Sequence, residues 1–371
     1  MRTPGRAART ITILTTFVTY VLVAVVIANA QATPTGSNNQ GTSAVDRATG
    51  LALQGDAAGA VKELAETRAE LFMGDDAEFR TCMLDRFGAA TQPPSDLAIT
   101  DPWVATLAQN YVEYWQRALT KLNEREEAER ELREKTGKLL GHPVASDSEF
   151  DAAEDEISTE AEKRGFHVLL GRTQPLRELM LWKKTTVERR QVKLPEAQQS
   201  VTVNFLDDFV LRGWGYYATC SRRSAGGWAT DKGLFAVVPA YKSLQDETFS
   251  VRFLGHESQH FADKAAFPHL ESWELEYRAK LTELALADAS QASTVELICE
   301  NRGASKDSPH GYANGRVIDD VTKVAGLQPR DLCEKKILTG RPLRTAAKQV
   351  LLEDSRKREA KAQPEDIKVQ P

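Results

Sequence analysis

The sequence predicts an α+β protein that is mostly α-helical. Residues 45–165 carry apolar side chains at helical spacing, and the segments after about residue 249 return to that spacing. Between about 185 and 238, short stretches alternate apolar and polar residues and are rich in β-branched types, as strands are. The chain has 371 residues, of which 41% are hydrophobic, so it can form one large domain or two with a sizeable core.

The N-terminus has the layout of a secretory signal peptide over residues 1–30. Three arginines lie within the first nine residues, an uncharged run covers 11–27, and an Ala-Asn-Ala tripeptide ends the segment. The alternative is an uncleaved membrane anchor, because the apolar run is nearly long enough to span a bilayer. Both interpretations predict an exported chain, periplasmic or secreted. Residues 31–44 are polar and are expected to form a linker.

Residues 45–165 are expected to form a helical N-terminal region. This region is expected to cover or regulate the cleft of a catalytic domain that follows it, or to bind a partner. An aromatic and aliphatic stripe at helical spacing is expected to be core. It comprises Trp103, Leu107, Tyr111, Tyr114, Ala118 and Leu122. The charge run at 123–135 is interpreted as a solvated helix face. A catalytic domain is expected over 166–352, followed by a flexible, charged tail over 353–371.

Three strands are predicted ahead of the next helix. Two of them, at 185–194 and 200–206, are joined by a short loop, and a third at 234–238 is stopped by Pro239. The third is expected to be the edge strand along which an extended peptide would pair.

The four cysteines predict two disulfides in an exported chain. Three connectivities are possible. We favour Cys299–Cys333, which closes a short loop, together with Cys82–Cys220, which joins the two halves of the chain. None of the cysteines forms a C-x-x-C pair, so a thiolate metal site is not expected.

The strongest chemical signal is an H-E-x-x-H stretch, His256-Glu257-Ser258-Gln259-His260. It lies in a predicted helix that begins after Ser243 or Asp246 and ends near Ala266, because Pro268 cannot continue it. Two histidines four residues apart lie on one helix face and can bind one Zn²⁺, and the glutamate between them can act as general base.

A catalytic zinc site needs a third protein ligand. Asp263 and Ala266 stand where the longer three-histidine motif needs glycine and histidine, so that form is excluded. The next predicted helix, at 271–287, offers several carboxylates. They are Glu271, Glu274, Glu276 and Glu283. Glu276 is favoured, because the small Ala279 one turn later leaves room beside a metal, and Glu274 is the alternative.

His256-Glu257-x-x-His260 followed by a helical Glu276-Tyr-Arg-Ala279 resembles the gluzincin branch of the zincin metallopeptidases. The resemblance covers about residues 230–290. It implies that His256, His260 and Glu276 bind zinc and that Glu257 is the catalytic base. It also implies a zincin-like domain with a small sheet above the motif helix and a helical lower half.

The resemblance also leads us to look for a donor to the oxyanion. His310 and Tyr312 are the candidates, in a predicted loop over 301–314 that leads into a helix near Gly315. Asp263, one turn beyond His260, is expected either to orient a ligand or to be an exposed acid at the helix end.

The sequence thus predicts an exported zinc-dependent hydrolase, a metallopeptidase acting on a peptide or protein. Two alternatives are a hydrolase of cell-wall material and a non-catalytic helical interaction protein with a relic or structural metal site. A net charge of −5 gives no argument for nucleic acid. A membrane is expected as partner only if the N-terminal segment is retained.

Overall fold

A computed structural model describes residues 39–88, 99–230, 232–306 and 308–362 of the chain. The predicted signal peptide at 1–30 lies outside the described residues. The helices are α1 (Asn39–Leu53), α2 (Ala57–Glu66), α3 (Asp75–Phe87), α4 (Pro102–Thr120), α5 (Arg125–Leu140), α6 (Asp147–Glu162), α7 (Trp214–Ala218), α8 (Glu247–Phe249), α9 (His256–Ala266), α10 (Ser272–Leu286), α11 (Gln291–Glu300), α12 (Pro309–Val324), α13 (Pro329–Cys333) and α14 (Gly340–Ala362). The strands are β1 (His167–Leu169), β2 (Arg172–Thr173), β3 (Leu176–Arg177), β4 (Met180–Lys193), β5 (Gln198–Arg212), β6 (Gly227–Thr230) and β7 (Gly233–Val237).

The predicted α+β class with mostly α-helix is confirmed. The sheet is small and mixed, with the strand order β1-β4-β5-β7-β6. β5 and β7 run parallel, whereas the other neighbouring pairs are antiparallel. The two strands predicted at 185–194 and 200–206 lie within β4 and β5, which form a longer hairpin than the sequence indicated. β2 and β3 form a separate two-stranded ribbon.

The prediction that residues 234–238 form an edge strand is wrong. This segment is β7, and it pairs with β5 on one side and with β6 on the other. Its backbone groups are therefore used on both sides, and Leu234 and Ala236 are fully buried. Among the described strands, β6 is the edge that faces the motif helix α9.

The N-terminal helices α1–α6 pack around one apolar core together with α7 and the start of β4. Asp101 caps α4, accepting a hydrogen bond from the Val104 amide, with Pro102 as first helical residue. The predicted linker over 31–44 is too long, since α1 begins at Asn39. The helix starts early because Ala44 and Val45 are fully buried in this core.

The predicted flexible tail over 353–371 differs from the structure up to residue 362, and residues 363–371 lie outside the described part of the chain. α14 continues to Ala362, and it packs against α10 and α12. Two charged side chains of α14 form ion pairs with α10: Asp354 accepts from Arg278, and Arg358 donates to Glu274. These ion pairs help to explain why α14 continues past residue 353.

Both predicted disulfides are present. Cys82 of α3 is bonded to Cys220, just after α7, and Cys299 of α11 is bonded to Cys333 of α13. Two disulfides are typical of a chain that folds in an oxidising compartment.

A search of the described helices for a membrane span found none with the necessary length and apolar character.

Candidate metal centre

The helix that carries the motif has two α-helical parts with a π-helical segment between them. Asp246 caps its start and accepts a hydrogen bond from the Phe249 amide, as the sequence indicated. Residues Ser250–Gly255 then form the π-helical segment, and α9 starts at His256. The sequence predicted a single continuous α-helix, so the π-helical segment is a difference between the prediction and the structure. π-helical turns are rare and are frequently found at functional sites, and this one directly precedes the first histidine of the motif.

The structure brings His256, His260 and Glu276 together. The two Nε2 atoms of the histidines are 3.0 Å apart. Glu276 Oε2 lies 3.4 Å from His256 Nε2, and Glu276 Oε1 lies 3.3 Å from His260 Nε2. All three side chains are buried, and one donor atom of each lies within 4.8 Å of the others. α9 provides the histidines, and α10, which packs against it, provides the carboxylate.

These distances fit one small tetrahedral cation. Ligand atoms about 2.0–2.1 Å from a tetrahedral ion are about 3.3 Å from one another, which is close to the distance from each histidine Nε2 to its nearer Glu276 oxygen. Two imidazoles and one carboxylate are also a donor set that zinc prefers. Glu276 Oε2 has no hydrogen-bond partner although it is buried. The trio therefore meets the geometric and chemical requirements of a His₂Glu zinc site.

Glu283 is a site residue that the sequence analysis did not assign a role. Its Oε1 lies 2.6 Å from His256 Nδ1 and accepts a hydrogen bond from Lys280 Nζ at 2.7 Å. A carboxylate on Nδ1 leaves Nε2 as the ligand atom and fixes the orientation of the ring. The sequence could have indicated this role through its spacing, because Glu283 follows Glu276 by seven residues and so lies two turns along the same face of α10.

The buried charges at the site balance one another. Burial opposes ionisation of Glu276, but His256 and His260 outweigh it and hold the pKa of this carboxyl well below its ordinary value. Burial also disfavours a charged His256, yet Glu276 and Glu283 raise its pKa to about 10. Burial lowers the pKa of His260, so this ring stays neutral. The positive charge of His256 thus faces both carboxylates, and a divalent cation in the same place would also balance them.

Glu257 lies beside the ligands in a cleft between β6, α9 and α10. The cleft is lined by Ala229, Glu257, His260, Lys264, Ser272, Leu275 and Glu276. Glu257 Oε1 is buried and has no hydrogen-bond partner, and burial raises the pKa of this carboxyl to about 7. A carboxylate in this state can accept a proton from a water molecule in the cleft.

His310 and Tyr312 lie in the first turn of α12 rather than in a loop. The helix begins at Pro309, six residues before the predicted start near Gly315, because proline is well suited to the first helical position. His310 Nδ1 is 2.8 Å from Glu276 Oε2, an ion-pair distance without hydrogen-bond angles, and the ring is half exposed. Tyr312 packs edge-on against Trp273, with ring centroids 5.0 Å apart. The structure therefore brings His310 to the ligands, whereas the ring contact of Tyr312 is with Trp273.

The alternative ligand, Glu274, makes other contacts. It forms a capping box with Glu271 at the start of α10 and accepts from Arg358. Asp263 accepts hydrogen bonds from Gln259 and Arg278 at 2.8 and 2.9 Å. It thus links α9 to α10 and is buried, so it is neither an exposed acid nor a hydrogen-bond partner of a histidine ring.

Comparison of the chain with protein-family models, with curated proteins and with solved structures found no match. The function is therefore inferred from the geometry of the site.

Proposed function

We propose that this chain is an exported zinc-dependent hydrolase, specifically a metallopeptidase. The observation that carries the proposal is the buried convergence of His256, His260 and Glu276, with donor atoms 3.0 to 3.4 Å apart. Glu257, in the wall of the same cleft, adds the general base that hydrolysis needs. The two disulfides support an exported setting.

Each residue has a distinct role in the proposed reaction. His256, His260 and Glu276 would hold the ion, and Glu283 would orient His256. A bound zinc ion acts as a Lewis acid and lowers the pKa of a coordinated water to about 7. Glu257 takes the proton of the attacking water and passes it to the leaving amine. His310, half exposed beside Glu276, is placed to donate a hydrogen bond to the oxygen that becomes negative.

The strand that borders the cleft supports a peptide substrate rather than cell-wall glycan. β6 borders the cleft through Ala229, and among the described strands it leaves one edge unpaired. An extended peptide can pair with such an edge through its backbone hydrogen bonds. Among the described residues, those that line the cleft include no aromatic ring on which a sugar could stack.

The test measures zinc content and peptide hydrolysis on the purified full chain and on four single variants, Glu257→Gln, Glu276→Gln, His260→Ala and Glu274→Gln. We expect about one zinc per chain in the unaltered protein and in Glu257→Gln, with hydrolysis reduced about 10²- to 10⁴-fold in that variant. Glu276→Gln should lose zinc and activity together. Glu274→Gln is the matched control on the same helix and should retain both, because Glu274 contacts Arg358 rather than the histidines.

Two results would contradict the proposal. If the unaltered chain binds no stoichiometric zinc, and His260→Ala affects only stability, the site is not a zinc centre. If zinc binds but neither the unaltered chain nor Glu257→Gln hydrolyses peptides or wall material, the metal is structural and the chain is a non-catalytic binding protein.

A further inference from the structure

One cation in the cleft has no acidic partner. Lys264 lies on α9 one turn after His260, and its side chain lines the same cleft as Glu257 and Glu276. By contrast, Lys280 on α10 is held by Glu283 at 2.7 Å. Within the described part of the chain, no carboxylate forms such an ion pair with Lys264. Lys264 is exposed to solvent.

The sequence of α9 explains why Lys264 is unpaired. Helical ion pairs form between residues three or four positions apart. At those positions relative to Lys264, the chain carries a histidine, two phenylalanines and a proline, none of which can pair with an ammonium group as an acid does. The neighbouring Asp263 points to Arg278, which lies 2.9 Å away. The ammonium group is thus free to meet an anion that enters the cleft.

The remaining residues that line the cleft leave Lys264 as its one fixed cation among the described residues. Ala229, Ser272 and Leu275 are uncharged. With zinc bound, Glu276 and an ionised Glu257 would at most balance its two positive charges, so the positive charge of Lys264 would be left over. A cleft with an excess positive charge attracts an anionic substrate.

We infer that Lys264 makes the cleft selective for peptides that carry an anionic group next to the bond that is cut. The inference rests on the proposed function and adds the substrate class to it. A free C-terminal carboxylate and an acidic side chain present the same chemistry to the ammonium group, so the test separates these two sources.

The test measures binding rather than cleavage. Four dye-labelled random hexapeptide mixtures are titrated into the zinc-loaded Glu257→Gln full chain, with fluorescence anisotropy as the readout. The mixtures contain a fixed internal glutamate or glutamine, each with a free or an amidated C-terminus. We expect about tenfold tighter binding of the mixtures that carry the recognised anion. Lys264→Gln should remove that preference, whereas Lys138→Gln, at an exposed lysine of α5, should keep it.

The results separate the inference from the proposed function. Equal binding of the four mixtures, binding of none, or a preference that survives Lys264→Gln overturns the inference. Hydrolysis of the same mixtures is measured on the unaltered chain. If anionic mixtures bind selectively but none is cleaved, the anion site stands and the proposed peptidase activity fails.

Discussion

At the scale of single residues, the candidate metal centre depends on side chains outside the trio of His256, His260 and Glu276. Glu283 forms a hydrogen bond with Nδ1 of His256, the ring nitrogen that faces away from the other two candidate ligands, and Glu283 in turn accepts a hydrogen bond from Lys280. A histidine whose second nitrogen is fixed in this way is preorganised as a ligand, because the ring does not need to find its orientation when the ion arrives.

We therefore predict that Glu283→Gln weakens zinc binding about 10- to 100-fold. The amide loses the negative charge that orients His256 and can no longer pair with Lys280. Zinc affinity is measured by competition with a chromophoric chelator at fixed pH. Glu274→Gln, a glutamate of the same helix that does not contact the histidines, serves as control. Equal affinities of the two variants would show that Glu283 does not position the ligand.

A second prediction at this scale concerns Glu178, a buried carboxyl in the N-terminal core. It accepts hydrogen bonds from the amides of Leu179 and Trp214 and from the hydroxyl of Thr173. Burial outweighs these donors and raises its pKa to about 7. Between the ordinary pKa of about 4.3 and pH 7, the folded chain therefore retains a proton that the unfolded chain has lost.

The direction in which the free energy of unfolding changes with pH follows from this difference in bound protons. The contribution of Glu178 to the free energy of unfolding is fully present below about pH 4.3 and is lost as the pH rises towards 7. The loss is on the order of 3 kcal/mol. Urea unfolding at several pH values should show a flatter dependence for Glu178→Gln than for the unaltered chain. Glu188→Gln, at an exposed position of β4, should leave the dependence unchanged. If the pH profile of Glu178→Gln matches that of the unaltered chain, the carboxyl is already ionised in the folded state.

At the scale of secondary-structure elements, one buried arginine fixes how the two site helices pack. Arg278 of α10 donates to Asp263 of α9, to Asp354 of α14 and to Glu196 between β4 and β5, at 2.8 to 3.0 Å. Its side chain is 1% exposed, so all three carboxylates meet a desolvated charge. The separation between the helix that carries the histidines and the helix that carries Glu276 depends on this contact.

We predict that Arg278→Met lowers the free energy of unfolding by about 3–5 kcal/mol, because it leaves buried Asp263 without its cation. Adding Asp263→Asn should recover part of that loss. Arg316→Met is the control, since Arg316 pairs with Asp320 at an exposed position of α12 and should cost about 1 kcal/mol or less. Urea denaturation measures all four proteins. Similar losses for the two arginines would show that the buried ion pairs contribute no more than a surface pair.

At the scale of the whole molecule, a disulfide joins distant parts of the chain. Cys82 and Cys220 are separated by 138 residues and connect the N-terminal helices to the segment after α7. The other bond, Cys299–Cys333, closes a shorter loop of 34 residues near the ligand helix. A longer loop restricts the unfolded chain more.

We predict that replacing Cys82 and Cys220 together by serine lowers the free energy of unfolding by about 5 kcal/mol, by the loop-entropy estimate. The corresponding double variant of Cys299 and Cys333 should lose about 4 kcal/mol. Denaturant unfolding under non-reducing conditions compares the three proteins. A larger loss for the shorter loop would indicate that native packing around the bonds, rather than chain entropy, dominates their effect.

Local spacing in the sequence determined much of this protein. The helical period places His256 and His260 one turn apart on the same face, and it puts Glu276 on a face of the next helix. The number of cysteines led us to expect two disulfides, and two are present. The helix faces depend on residues near one another and the number of disulfides on simple counting, whereas the sequence left three connectivities possible.

Only the tertiary structure decided which distant groups meet. The packing of α9 on α10 brings Glu276 and Glu283 to the histidines. Glu274 instead accepts a hydrogen bond from Arg358 of α14. Strand order depends on pairing between residues far apart in the chain, which is why β7 proved to be interior and β6 the edge. Local periodicity specifies the face that a side chain occupies, but the partner of that face is set by how the whole chain packs.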